Sequence, residues 1–436
     1  MFADRRHFLR ATGAAFAALA ASGCVRTPLS GLASSKGIGY GELIPDPAGM
    51  LDLPPGFSYR VISSLGDAMT DGGSVPDKAD GMGCFDLGNG KWALVRNHEL
   101  GPDNDSGGAT GLAYDTVARS MVPLPGGTTT IILDANTLAV ERQYRSLSGT
   151  IRNCAGGVTP WGSWLSCEEN VSRADGRINK DHGYVFEVPA DSRGPVDPIP
   201  LKAMGRFNHE AAAVDPATGI VYLTEDRGDS LFYRFIPTRP GKLAEGGRLQ
   251  ALVVDGSPDT RNWSAETVAR GSWLTVRWVD VDDVEAPHDD LRVRGAEAGA
   301  SLFARGEGIW MGTGELYFAC TNGGAAKLGQ IFRLKPGRDQ DQLQLFLEST
   351  DPNQFNYGDN LTVAPNGHLI VCEDQYTDDA VNYLRGVDTD GVAYALGRLR
   401  METELAGACY APDGRTLFLN IYSPTRTLAI TGPWRV

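Results

Sequence analysis

The chain has 436 residues, enough for one large all-β domain or two to three ordinary ones. Hydrophobic residues make up 42% and charged residues 22%, with 54 glycines, a globular composition with many turns. A formal net charge of -14 argues against nucleic acid as the main partner, because phosphate binding needs a basic face.

In chain order, the first element is a leader. "DRRHFLRATGAAFAALAASGC" pairs Arg5 with Arg6, runs through a short apolar stretch and ends on Cys24. It is too short for a spanning helix and resembles a twin-arginine export signal ending in a lipobox, with Cys24 as the lipidation site. The alternative is an ordinary signal peptide with a chance cysteine. Either way the expectation is export to the periplasm, soluble or anchored by a lipid on Cys24. The expected division is a leader over 1–24, a flexible tether over 25–40 and one propeller domain over 41–436.

A hairpin unit then recurs six times. Each copy has an apolar run, a tight turn closed by glycine and a second apolar run, a strong hairpin signature. The copies are "DLGNGKWALVRNHE" on Gly90, "GGVTPWGSWLSCEEN" on Gly162, "AAVDPATGIVYLTEDR" on Gly219, "IWMGTGELYFACTNGG" on Gly314, "NLTVAPNGHLIVCEDQ" on Gly367 and "ACYAPDGRTLFLNIYSP" on Gly414. "TTTIILDANTLAVERQYRSL" reads as the outer strands of the first unit, and "GYVFEVP", "LFYRFIP" and "GQIFRLKP" as third strands of others. The fold expected is all-β, a six-bladed β-propeller with loop insertions, the largest between Thr238 and Ala300.

The hairpins carry a chemical pattern. Six residues after the turn glycine stand Arg96, Glu168, Glu225, Cys320, Glu373 and Asn420, followed by Asn97, Glu169, Asp226, Thr321, Asp374 and Ile421. Seven to nine residues before it stand Cys154, Glu210, Glu307 and Asp359. In an antiparallel pair the start of one strand and the end of the next share an edge. Cys154, Glu210, Glu307 and Asp359 should therefore converge on the propeller axis, with Glu168, Glu225, Asp226, Glu373 and Asp374 just outside. So many acids in one mouth repel each other, and bound cations relieve that repulsion. Carboxylates suit Ca²⁺ and a thiolate suits a softer transition metal, so a mixed Fe and Ca site fits both. Of the six cysteines after Cys24, none has CxxC spacing, and Cys167 and Cys372 read as small apolar core residues. His209, beside Glu210, is expected to support the site by hydrogen bonding.

"NCAGGVTPWGSWLSCEEN", "FNHEAAAVDPATGIVYLTEDRGDSLFYRF", "RGEGIW" and "LIVCED" resemble signature segments of the PhoX-type alkaline phosphatases, across nearly the whole chain after the leader. The resemblance implies a six-bladed propeller with an iron–calcium cluster that hydrolyses small-molecule phosphate esters without a serine nucleophile. It implies Cys154 as a bridging thiolate, Glu210, Glu307 and Asp359 as axial ligands, and Glu168, Glu225, Asp226, Glu373 and Asp374 as calcium ligands or their supports. It implies Arg305 as the residue that contacts the phosphoryl group, with Asn97 and His98 lining the mouth as substrate residues. Arg305 and His209 are the candidate catalytic residues. The chain is shorter than the founding phosphatases, and its last hairpin reads "LNIYSPT" where many relatives have His-Pro-Gly. A monomer is expected. Alternatives are a calcium-dependent propeller hydrolase of lactones or esters, against which Cys154 speaks, and a non-catalytic metal-binding lipoprotein.

Overall fold

In the computed structural model the six turn glycines all take positive φ, from 65° at Gly414 to 84° at Gly162, and each closes an antiparallel hairpin. A side chain is strained in that backbone region, which explains glycine at the turn. The structure describes residues 38–108, 111–375 and 381–435. The leader, Cys24 and most of the tether lie outside them.

The inner strands of the hairpins are Ala79–Gly88, Asn153–Val158, His209–Val214, Gly306–Met311, Gly358–Val363 and Leu405–Tyr410. Each touches the next, and the last touches the first, so six strands ring one axis. Their partners are Lys91–His98, Ser163–Glu168, Val221–Glu225, Leu316–Cys320, Leu369–Glu373 and Thr416–Ile421. Gly126–Asp134 and Val140–Thr150 complete the first blade, as the sequence suggests.

The propeller arrangement is as expected, but among the described residues the hydrogen-bonded sheets number five rather than six. The third and fourth blades are fused into one nine-stranded sheet. The cause is Trp273–Asp280, a strand of the large insertion. It pairs with Gly247–Val254 on one side and with Asp341–Glu348 on the other. The ring is closed by Ser58–Ser64, which pairs with Arg426–Thr431 of the last blade. Joining the two ends of the propeller in one sheet removes an edge that could otherwise aggregate.

The blades pack face to face, so the second strands are buried on both sides. Leu316–Cys320 and Leu369–Glu373 are buried throughout, which is why their sequences run apolar instead of alternating. Between the third and fourth blades Phe232 stacks on Phe318 at 4.1 Å between ring centres. All six described cysteines are free thiols, and Cys167 and Cys372 are fully buried among apolar side chains.

Candidate metal centre

One backbone device builds the centre. In every blade the ladder between the inner strand and its partner skips two residues near the start of the inner strand. Such bulges re-aim side chains. The skipped pairs are Asp80–Gly81, Cys154–Ala155, Glu210–Ala211, Glu307–Gly308, Asp359–Asn360 and Gly407–Ala408. Five blades thus offer a ligand-type side chain at the same place, and the sixth offers glycine. Candidate ligand atoms of Asp80, Glu99 and Cys154 lie within 4.8 Å of one another, as do those of Cys154, Glu169 and Glu210, and those of Glu210, Glu307 and Asp359. The groups share members, so they form one continuous arc of acids and a thiol.

The second skipped residue is small in five of the six blades, and Asn360 is the exception. A Cβ on Gly81 would lie 2.5 Å from Ala155 Cα, and one on Gly308 would lie 2.7 Å from Asn360 Cα. These residues form a floor beneath the acids, where the remaining void is only about 10 Å³. The ring is therefore nearly closed at this level. Beyond the floor lies an apolar funnel of about 210 Å³ lined by Val158, Val214, Trp310 and Met311 among others.

The acid pairs that end the second strands split. Adjacent residues of a strand face opposite ways. Glu169 joins the arc, but Glu168 turns into the second blade and accepts from Ile151 N at 2.9 Å, Gly183 N at 2.9 Å and Tyr184 N at 3.2 Å. His182 Nδ1 lies 2.6 Å from the same carboxylate. Glu225 likewise accepts from the Tyr233 hydroxyl at 2.8 Å, and Glu373 from Asn356 N, Tyr383 N and Arg385 Nε. The structure thus places Glu168, Glu225 and Glu373, expected just outside the axial ligands as calcium ligands or supports, as clasps turned into their blades. Their neighbours Asp226 and Asp374 do face it. Asp226 is gripped by Arg305, and Asp374 adds to the field that pushes Asp359 up.

Burial governs the electrostatics. Asp359 is pushed up to about 8 by burial and then by Asp374, and Glu169 to about 7 by burial against the pull of Arg152. Asp80, Glu210 and Glu307 are raised well above the carboxylate range by burial and then by one another's charge or that of Asp359, Glu99 and Asp226. The Cys154 thiol is raised by burial and by Asp80.

These residues fit a metal cluster. Glu210 is 1% exposed, and neither of its oxygens has a hydrogen-bond partner among the described residues. Asp80 Oδ1 is in the same state. Buried carboxylates without donors are costly unless they are protonated or bound to cations. Carboxylates beside one thiol form a donor set for a hard cation together with a softer one.

Two arginines stand at the rim. Each directly precedes an inner strand and has positive φ, 49° at Arg152 and 50° at Arg305. Arg305 holds Asp226 through two hydrogen bonds of 2.7 and 2.8 Å and lies 3.2 Å from Glu307 Oε1. Arg152 bridges Glu99 and Glu169.

Three other expected site residues lie elsewhere. Asn97 is fully buried, donating to Cys154 O at 3.1 Å and Ala155 O at 2.6 Å while accepting from Trp164 Nε1. It fixes the strand that carries Cys154 and does not line the mouth. His98 is buried between Asp77 O and Thr129 Oγ1. His209 lies against Phe207, with Nε2 3.0 Å from Gly205 O, and burial pushes it down to about 3, so it is neutral. Neither histidine reaches the arc, because both turn into packed blade interiors.

The sequence pattern missed Asp80, Glu99, Glu169 and Glu404 as cluster residues. Glu404 is raised by burial and then by the neighbouring Asp374. Asp80 escaped because the first inner strand has 10 residues where the other five have 6, so it lies further from its turn glycine. A search on the bulge instead of the turn would have found it.

A family model described as alkaline phosphatase PhoX matches residues 38–141 and 134–425. Among solved structures, the PhoX of Pseudomonas fluorescens, in complex with vanadate, a transition state analogue, matches with a TM-score of 0.68 at 19% identity, covering 88% of this chain and 96% of that one. XC5397 of Xanthomonas campestris, a gluconolactonase, matches with a TM-score of 0.40 at 14% identity, covering 91% and 99%. The WD40 β-propeller domain of Doa1 matches with 0.40 at 9%, covering 87% and 98%. No curated protein sequence matches the chain.

Proposed function

Because the chain belongs to the PhoX alkaline phosphatase family, we propose that it is an exported, metal-dependent phosphatase acting on small phosphate esters at the axial arc of acids. The observation that carries this reading is Glu210, beside Cys154, Glu307 and Asp359, whose two buried oxygens have no donor among the described residues. Asp80, Cys154, Glu210, Glu307 and Asp359 would hold the cations, iron near the thiolate and calcium among the carboxylates, with Asp374 in support. When bound, such ions neutralise charge developing on the phosphoryl oxygens and lower the pKa of attacking water.

The chain's own residues do the rest. Arg305 is the anion-binding side chain of the mouth, and a guanidinium matches the spacing of phosphoryl oxygens. Asp226 and Glu307 fix its orientation before substrate arrives. The floor of small residues confines substrate and water to one side. Cys154 within the arc supports this reading over a calcium-only lactone hydrolase, whose carboxylate and amide ligands need no thiolate.

The test is release of p-nitrophenol from its phosphate ester by protein exported in folded form. Arg305→Lys keeps the charge but loses the planar fork, and should lower kcat/KM by about 10²-fold. Unchanged kcat/KM would remove Arg305 from the reaction. Export itself is part of the proposal. Cys24→Ser should move the protein from the membrane fraction to the soluble periplasm, and an unchanged distribution would exclude the lipid anchor.

A further inference from the structure

We propose that the Arg152 guanidinium takes the place of one cation in the arc, neutralising Glu99 and Glu169 so that metal ions gather on the remaining acids. The inference rests on the reading of the arc as a metal centre. By position, Glu99 and Glu169 qualify as ligands. Glu99 lies within 4.8 Å of Asp80 and Cys154, and Glu169 within 4.8 Å of Cys154 and Glu210.

Their oxygens are nevertheless already served by protein donors. Arg152 Nη2 lies 2.5 Å from Glu99 Oε1 and also hydrogen-bonds Glu169 Oε2. The Tyr422 hydroxyl donates to Glu99 Oε2, and Asn208 Nδ2 lies 3.4 Å from Glu169 Oε1. Glu210 is the opposite case, with both oxygens buried and unserved. The arc therefore divides into acids satisfied by the chain and acids that need an external cation.

A guanidinium suits this role. It stays charged at any working pH and presents donors in a fixed fork that can bridge two carboxylates. The positive φ at Arg152, immediately before the inner strand, brings it to the same station that Arg305 holds in the fourth blade. A metal ion between Glu99 and Glu169 would have to displace Arg152 and break both pairs.

The experiment counts metal ions. The full chain, exported in folded form, is dialysed against calcium, freed of unbound ions, and analysed for calcium plus iron per chain. Arg152→Ala should hold one more ion than wild type, because two carboxylates lose their counter-charge at a point already rich in ligands. Arg152→Lys, which keeps the charge, should match wild type. So should Arg177→Ala, which removes an exposed arginine paired with Asp175. An unchanged or smaller count in Arg152→Ala, with wild-type circular dichroism, overturns the inference. Should Arg152→Ala not fold, Glu99→Gln decides. Its count should equal that of wild type, and loss of one ion would show that Glu99 is a metal ligand. A wild-type chain that holds no ions overturns the metal-centre reading and the inference together, whereas a wild type that holds ions with no gain in Arg152→Ala overturns the inference alone.

Discussion

At the scale of single residues, the acid pairs show how one position decides between two roles. Glu373 and Asp374 are neighbours, yet the first clasps backbone amides and Arg385 inside a blade while the second faces the axis. Their substitutions should therefore separate. Glu373→Ala strands the buried Arg385 and should cost about 3–5 kcal/mol of stability, read as a lower thermal midpoint, with the metal count unchanged. Asp374→Asn should leave the midpoint of the cation-free protein near that of wild type and weaken metal binding. A matching loss of metal in both variants would return Glu373 to the ligand set. Glu210→Gln should reduce the metal count and lower phosphatase kcat by at least about 10²-fold, since it removes a charge that no donor among the described residues compensates. Cys154, Glu210, Glu307 and Asp359 were legible because they recur at a nearly fixed distance from a turn glycine. Glu168, Glu225 and Glu373 were expected just outside those ligands, but the pattern did not show that they turn into their blades, since the alternation of a strand sends adjacent side chains apart.

At the scale of elements, the six hairpins could be read from sequence because turn glycines and apolar runs are local signals. The fusion of the third and fourth blades could not. Trp273–Asp280 has the apolar alternation of a strand, but its place between two blades is set by partners in separate parts of the chain. The floor of small residues was equally hidden, since its reason is the approach of a neighbouring blade. Gly308→Ala tests it: a Cβ at 2.7 Å from the Asn360 backbone should cost about 1–3 kcal/mol and lower the thermal midpoint. An unchanged midpoint would mean that the inner strands have room to spread. A second element-level device is His182, buried between Glu168 and Asp115 and tying two loops to the second blade. Burial opposes its charge, but Glu168 and Asp115 outweigh that and raise it to about 9. A raised histidine contributes stability that is complete below its unfolded value near 6.5 and is lost as pH climbs through about 9, about 3 kcal/mol in all. Wild type should lose thermal stability between pH 6.5 and 9 on this account, and His182→Gln should show a flatter profile. Equal slopes would remove the histidine from the balance.

At the scale of the whole molecule, the ring is held by its ends and by its centre. Ser58–Ser64 closes the last blade, while the axis concentrates carboxylates contributed by four of the six inner-strand bulges, with a thiol from a fifth, and by the strands beside them. Without cations those acids oppose folding. Asp359 is raised from 3.8 to about 8, so the folded state binds more protons than the unfolded chain between those values, and stability falls as pH rises through them. Chelation should therefore lower the thermal midpoint more at alkaline than at acidic pH, with calcium restoring it. The measurement that bears most directly on the central claim is phosphate release at alkaline pH by one preparation of the full chain, before chelation, after it, and after iron and calcium are returned. The account predicts activity that disappears with the metals and recovers when both are restored. Phosphate release that persists in the fully stripped protein, or that never occurs while the metals are bound, would contradict it.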